Sequence, residues 1–231
     1  MYPFVAASVG YGQNLSNKPV NNVRPFWGTN GPTVNISALI ALKESYWGIA
    51  CMLGYSAPGF DLSAYAPLNS DTNKTNTFGG GSAGHYNIYY LMGGLNLKLP
   101  QRTTRGALEV RFMVGPLICT LPAITYTTHI PQGPAYTSYK VYTTNVTSAT
   151  SSTFAMSPGI GLGHKMSRHL AVMAYCDLIF ASFKFNTVTS TNSYVSSETH
   201  SNISESVMSY VNFSATLSYS FGYIRPNIMY N

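Results

Sequence analysis

In residues 208–223, MSYVNFSATLSYSFGY, every second position from Val211 onward is apolar or aromatic: Val211, Phe213, Ala215, Leu217, Tyr219, Phe221 and Tyr223. The positions between them (Asn212, Ser214, Thr216, Ser218, Ser220, Gly222) are small, mostly polar and carry no charge. A period of two predicts a β-strand with one bulky and one small face. A soluble barrel or sandwich buries its bulky face and hydrates the other with Lys, Glu and Arg. Here the small face suits a crowded barrel interior instead, and the bulky face then needs a surrounding that tolerates an unbroken apolar stripe. Hydrocarbon is such a surrounding and water is not.

The same alternation recurs in eight segments, at about 3–13, 33–43, 46–56, 86–98, 106–120, 153–165, 169–184 and 207–223. Trp47, Ile49, Cys51, Leu53 and Tyr55 alternate with Gly48, Ala50, Met52, Gly54 and Ser56; Leu108, Val110, Phe112 and Val114 alternate with Glu109, Arg111, Met113 and Gly115. The connections alternate as well. Short turns (KESY, LPQRTTR, KMSR) separate long linkers at about 14–32, 57–85, 121–152 and 185–206, which are rich in Ser, Thr, Asn and Tyr. Short connections on one side and long ones on the other are the asymmetry of a membrane barrel, and most segments have the roughly 9–11 residues that a tilted strand needs to cross. The expected fold is all-β: an antiparallel eight-stranded up-and-down transmembrane barrel with short periplasmic turns and four long extracellular loops. A soluble lipocalin-like barrel would want the reverse, an apolar cavity and a polar exterior.

Composition sharpens this picture. Only 9% of the 231 residues are charged although 45% are hydrophobic, and 18 are Tyr; a typical soluble domain has about 25% charged residues. Apolar runs such as ALIAL at 38–42 are far too short for a spanning helix. The opening MYPFVAASVGYGQ alternates like a strand and lacks a basic then apolar leader, so a signal peptide is expected to have been removed or left out. Cys51, Cys119 and Cys176 show no metal-ligand spacing and are expected as inert packed side chains, a disulfide being the minor alternative.

The segment YYLMGGLNLKLP (89–100), with the architecture of nearly the whole chain, resembles the eight-stranded outer-membrane barrels of the OmpA/OmpX type and a strand common in the "outer membrane protein beta-barrel" family of Bacteroidota. The resemblance implies a Gram-negative outer membrane, extracellular loops and periplasmic termini. Such barrels end on an aromatic insertion signal, which Phe221 and Tyr223 resemble, although IRPNIMYN follows. The barrel is expected over 1–224, with 225–231 as a short periplasmic tail. Lipid A deacylases on similar barrels carry a His and a Ser two residues apart near the outer rim; His85 is followed by Tyr86 and Asn87, which departs from that pattern.

An eight-stranded interior is just wide enough to be filled by side chains, which argues against a porin. Glu109, Arg111 and Asp177 share the inward parity, and Gly159, Gly161 and Gly163 lie between them, leaving room for Arg111 to reach across. These three form the expected lumen ion network, a self-neutralising arrangement where an unpaired charge is costly; a gate or proton path is the alternative. No nucleophile, base and orienter constellation is evident, so no enzyme, cofactor or metal is expected. Seven of the 13 cations (Lys43, Lys98, Arg102, Arg105, Lys165, Arg168, Arg225) fall on the turn side, where Glu44 is the matching acid, as expected of snorkelling headgroup anchors. Trp47, Tyr219, Phe221 and Tyr223 would form one aromatic girdle at that end, and Tyr11, Tyr55, Tyr89, Phe154 and Phe180 another at the loop end. Tyr136, Tyr139 and Tyr142, set among Ser, Thr and Asn, form a candidate recognition loop.

The functional expectation is surface binding, adhesion or envelope structure around a non-conducting lumen. A rival is an accessory subunit of a larger outer-membrane complex, docked through the outward face of the fourth to sixth segments where Gly93, Pro116 and Pro158 thin the stripe; a lipid A-modifying enzyme or a narrow porin ranks below both. Expected partners are outer-membrane lipid and lipopolysaccharide and, for the rival, other outer-membrane proteins. Nucleic acid is not expected, because neither a basic helix nor a stacking groove is visible.

Overall fold

The computed structural model describes residues 2–15, 24–25, 28–41, 46–69, 77–99, 106–132, 138–167, 169–193 and 197–221. Among them the elements run β1 (Tyr2–Asn14), β2 (Arg24–Pro25), β3 (Gly31–Ala41), β4 (Trp47–Ser56), α1 (Leu62–Asn69), β5 (Thr77–Ala83), β6 (Asn87–Leu99), β7 (Gly106–Leu121), β8 (Ile124–Gln132), β9 (Ser138–Val146), β10 (Ala149–Lys165), β11 (Leu170–Asn192) and β12 (Ser197–Ser220). Eight of the strands close a ring in the order β1-β3-β4-β6-β7-β10-β11-β12, each antiparallel to the next. Pairing of β12 with β1, from Phe4 opposite Ser220 to Asn14 opposite Tyr210, removes the sheet edges.

The alternation decides which way the bulky set points. Leu217 is 54% exposed while Thr216 is 3% exposed, and Phe213 is 53% exposed beside Asn212 at 1%. On β4, Leu53 is 58% exposed and Met52 2%. The large residues therefore line the outside of the ring and the small polar ones its interior. On β11 the outward stripe runs through Leu170, Val172, Ala174, Cys176, Leu178 and Phe180 and then becomes Ser182, Lys184 and Asn186. That length matches the roughly 9–11 tilted residues of a hydrocarbon crossing. An apolar belt of this kind around a closed ring is solvated by lipid, and the chain is a transmembrane β-barrel. Among the described residues no helix is long and apolar enough to cross a membrane.

On the loop side the structure contains more strand than the sequence pattern indicates. The expected loop 185–206 is a hairpin: β11 and β12 stay paired without a break from Leu170 opposite Tyr219 to Asn192 opposite Ser197. Beyond Ser182 this arm adds roughly 33 Å of extended chain at about 3.3 Å per residue. The expected loop 121–152 holds the hairpin β8–β9, and 57–85 holds α1 and β5. β5, β8 and β9 form a small sheet that joins the far end of β11 through Thr143–Val146; Gly80, at φ 115°, carries the bulge where β5 shifts register against β8. Asp61 caps α1, its Oδ1 accepting from the Ala64 amide at 3.1 Å and the Ser63 hydroxyl at 2.7 Å.

Candidate functional site

The lumen is built in rows, because strand register places residues of β7, β10 and β11 side by side. Arg111 lies opposite Gly159, which lies opposite Asp177. One row toward the turns, Glu109 lies opposite Gly161 and Gly161 opposite Tyr175. Both glycines are steric necessities: a Cβ on Gly159 would collide with the Asp177 carboxylate, and one on Gly161 with the Tyr175 ring. With that space open, Arg111 Nε donates to Asp177 Oδ1 at 2.7 Å and Arg111 Nη2 contacts Oδ2, a two-point pair across the glycine strand. The guanidinium also stacks over the Tyr175 ring at 3.9 Å.

Glu109 belongs to a second cluster. Its Oε2 accepts from the Tyr175 hydroxyl at 2.7 Å and from Asn96 Nδ2 at 3.1 Å, and Lys98 Nζ lies 3.5 Å from Oε1. Lys98 is one of the cations assigned by sequence to a headgroup ring. It shares the inward parity of Asn96, and that parity was the signal by which it is recognisable as a lumen residue. Across the ring the polar side chains pair among themselves: Thr33 Oγ1 donates to Asn212 Oδ1 at 2.7 Å, Ser8 and Thr216 share a bond of 2.8 Å, and the Tyr90 hydroxyl donates to Asn35.

Toward the loops the lumen changes character. Ile88, Leu117, Cys119, Phe183, Phe185 and Met208 are all buried and form one apolar plug, continued outward by Tyr86, Ile124 and Tyr126. Phe183 and Phe185 stack at 5.6 Å, and Phe60 and Tyr65 of the loop-side layer pack over Tyr86 and Tyr126. Toward the turns a cavity of about 60 Å³ remains, lined by Phe4, Lys98, Glu109, Arg111, Lys165 and Met173 among others.

Of the proposed recognition tyrosines, Tyr139 is exposed with its ring 6.3 Å from His129, and Lys140 Nζ sits 5.0 Å over the half-buried Tyr142; Tyr136 lies outside the described residues. On the projecting arm, Lys184 Nζ meets Glu205 Oε1 at 2.7 Å, and this hydrogen bond and charge hold the ammonium above the usual lysine range. At the turn end Trp47, Tyr219 and Phe221 point outward, and His169 stacks on Tyr219 at 5.8 Å; Tyr223 and the 225–231 tail lie outside the described residues. Cys51, Cys119 and Cys176 are free thiols, and among the described residues no three His, Cys, Asp or Glu side chains are grouped to hold a metal.

No family model matches the sequence, and no curated protein matches it. The chain is similar in structure to a major outer membrane protein of Thermus thermophilus at 10% identity, TM-score 0.46, covering 96% of this chain and 100% of that one. It is likewise similar to OprG of Pseudomonas aeruginosa (7%, TM-score 0.47, 95% and 96%) and to Ail, the attachment invasion locus protein of Yersinia pestis (10%, TM-score 0.43, 96% and 100%). The register and burial of this chain itself define its barrel.

Proposed function

We propose that the chain is an integral protein of a bacterial outer membrane that spans 1–224, holds its termini in the periplasm and works by binding at the cell surface, with a lumen that does not conduct. The arm formed by β11 and β12 carries this reading. It stands clear of the apolar belt, is braced by β9, and presents Thr, Ser and Asn side chains on paired backbone, so little conformational entropy is lost when a partner is met. The plug supports the non-conducting part: Phe183, Phe185, Leu117 and Met208 are buried and packed together across the loop-side lumen. Lipopolysaccharide sugars or a neighbouring cell surface are the ligand classes that such a polar, hydroxyl-rich arm suits. Replacing residues 187–202 by a short turn tests this. The trimmed barrel is expected to fold and insert while cells expressing it lose adhesion; adhesion that survives the trim rejects the reading. Planar bilayers are expected to stay silent, and stable conductance steps contradict a sealed lumen.

A second reading has its own observation. Pro116 on β7 and Pro158 on β10 remove ladder donors from strands that are not edges, and with Gly93 on β6 they lower the outward relief of three adjacent strands. That face suits a protein neighbour in the membrane, and the chain would then be an accessory subunit. Extraction from native membranes in mild detergent separates the two: a barrel that elutes alone rejects the subunit. Lipid A from strains with and without the protein is expected to be identical.

A further inference from the structure

Among the described residues the lumen forms a pocket closed toward the loops by the plug and open toward the turns, where Lys98 is 40% exposed at the mouth. Its charges are unevenly matched. Asp177 engages Arg111 from behind, and Glu109 is already held by Tyr175, Asn96 and Lys98. Lys165, half-buried at the end of β10, lines the same cavity and has no hydrogen-bond or ion-pair partner among the described residues. Among the described residues three cations against one carboxylate line the space, and with Arg111 neutralised by Asp177 one net positive charge remains, at Lys165.

We propose that the turn-side mouth of the lumen binds one phosphate group between Lys165 and Lys98. Lysine is a compact point charge that recognises phosphate without requiring the flat two-point geometry of a carboxylate. Size restricts the ligand. One water needs about 10–15 Å³ of such volume, so a cavity of about 60 Å³ has room for a compact oxyanion. Met173, Met113 and Leu39 form an apolar wall beside the charges, where a paired anion is screened less than at an open surface. The phosphate comes either free from the periplasm or on an inner-leaflet lipid headgroup that reaches the mouth. This site does not depend on what the loop-side arm binds.

Full-length protein in maltoside micelles at low salt, titrated with inorganic phosphate by calorimetry, tests the site. Saturable binding of one phosphate that weakens about tenfold in Lys165→Gln, persists in Lys165→Arg and is unchanged in Lys184→Gln on the loop side establishes the free anion as ligand. If micelles show no binding, phosphatidylglycerol nanodiscs examined by phosphorus NMR give the second arm: one immobilised headgroup per barrel, lost in Lys165→Gln, identifies the lipid source. Phosphate uptake that survives both Lys165→Gln and Lys98→Gln, or no bound phosphate in either medium, overturns the proposal. Heat-modifiable electrophoretic mobility shows that each variant is a folded barrel.

Discussion

The two halves of the lumen share the same strands and the same two-residue period, yet are filled by opposite chemistry. On the turn side glycines and small hydroxyls leave space in which Arg111, Asp177, Glu109 and Tyr175 reach across strands. On the loop side that space is taken by Phe183, Phe185, Leu117 and Met208. A closed ring has nowhere to expand, so each row must balance the volume of its own members. Across the ladder Gly159 makes room for Arg111 and Asp177, and Gly161 for Glu109 and Tyr175, whereas the plug is filled by Phe183, Phe185 and Leu117. The contrast teaches that a barrel of this size divides its interior along its axis, with a charged pocket in one half and a stopper in the other.

Four substitutions break this contrast, in descending order. Asp177→Leu strands the Arg111 guanidinium in the lumen and is expected to cost about 3–5 kcal/mol, read as a lower urea midpoint in micelles; adding Arg111→Met to it is expected to recover most of the loss, since no unpaired charge then remains. Phe183→Ala opens the plug and is expected to cost about 3 kcal/mol, with the first channel-like noise in planar bilayers. Gly161→Ala places a methyl group where the Tyr175 ring lies and is expected to cost about 1–3 kcal/mol; Tyr175→Ala in the same chain relieves the clash. Lys184→Gln removes an exposed pair on the arm, and no change in the urea midpoint is expected because water and salt screen such pairs.

The same balance explains what the sequence made legible. Wherever one face met lipid and the other the lumen, side-chain type alternated, and all eight barrel strands followed from that alternation. The arm beyond Thr187 did not follow, because there both faces of β11 are at least partly exposed, so Ser190 and Thr191 blur the period while the backbone ladder continues. The hairpin β8–β9 escaped because its Thr-rich sequence resembles loop, although Ile124, Tyr126, Thr128, Thr144 and Val146 form a buried face. Within the lumen, parity placed Glu109, Arg111 and Asp177 on one wall, and the intervening glycines marked where a side chain crosses. Parity does not say which acid takes which base. That is fixed by register, which sets Asp177 level with Arg111 and leaves Glu109 to Lys98. The plug was hidden because Phe183 and Phe185 reverse the rule followed lower on β11, with aromatics inward and Ser182 and Lys184 outward.

Everything rests on hydrocarbon being the solvent of the outward band. A nitroxide scan along residues 211–219 of β12, with the three native cysteines replaced by alanine and the protein in lipid vesicles, measures this directly. Labels at Phe213, Ala215 and Leu217 are expected to collide freely with oxygen and hardly with a water-soluble nickel complex, while those at Asn212, Ser214 and Thr216 are expected to be immobile and shielded from both. Outward labels that collide with the nickel complex as readily as a label on the arm at Ile203 would contradict the account.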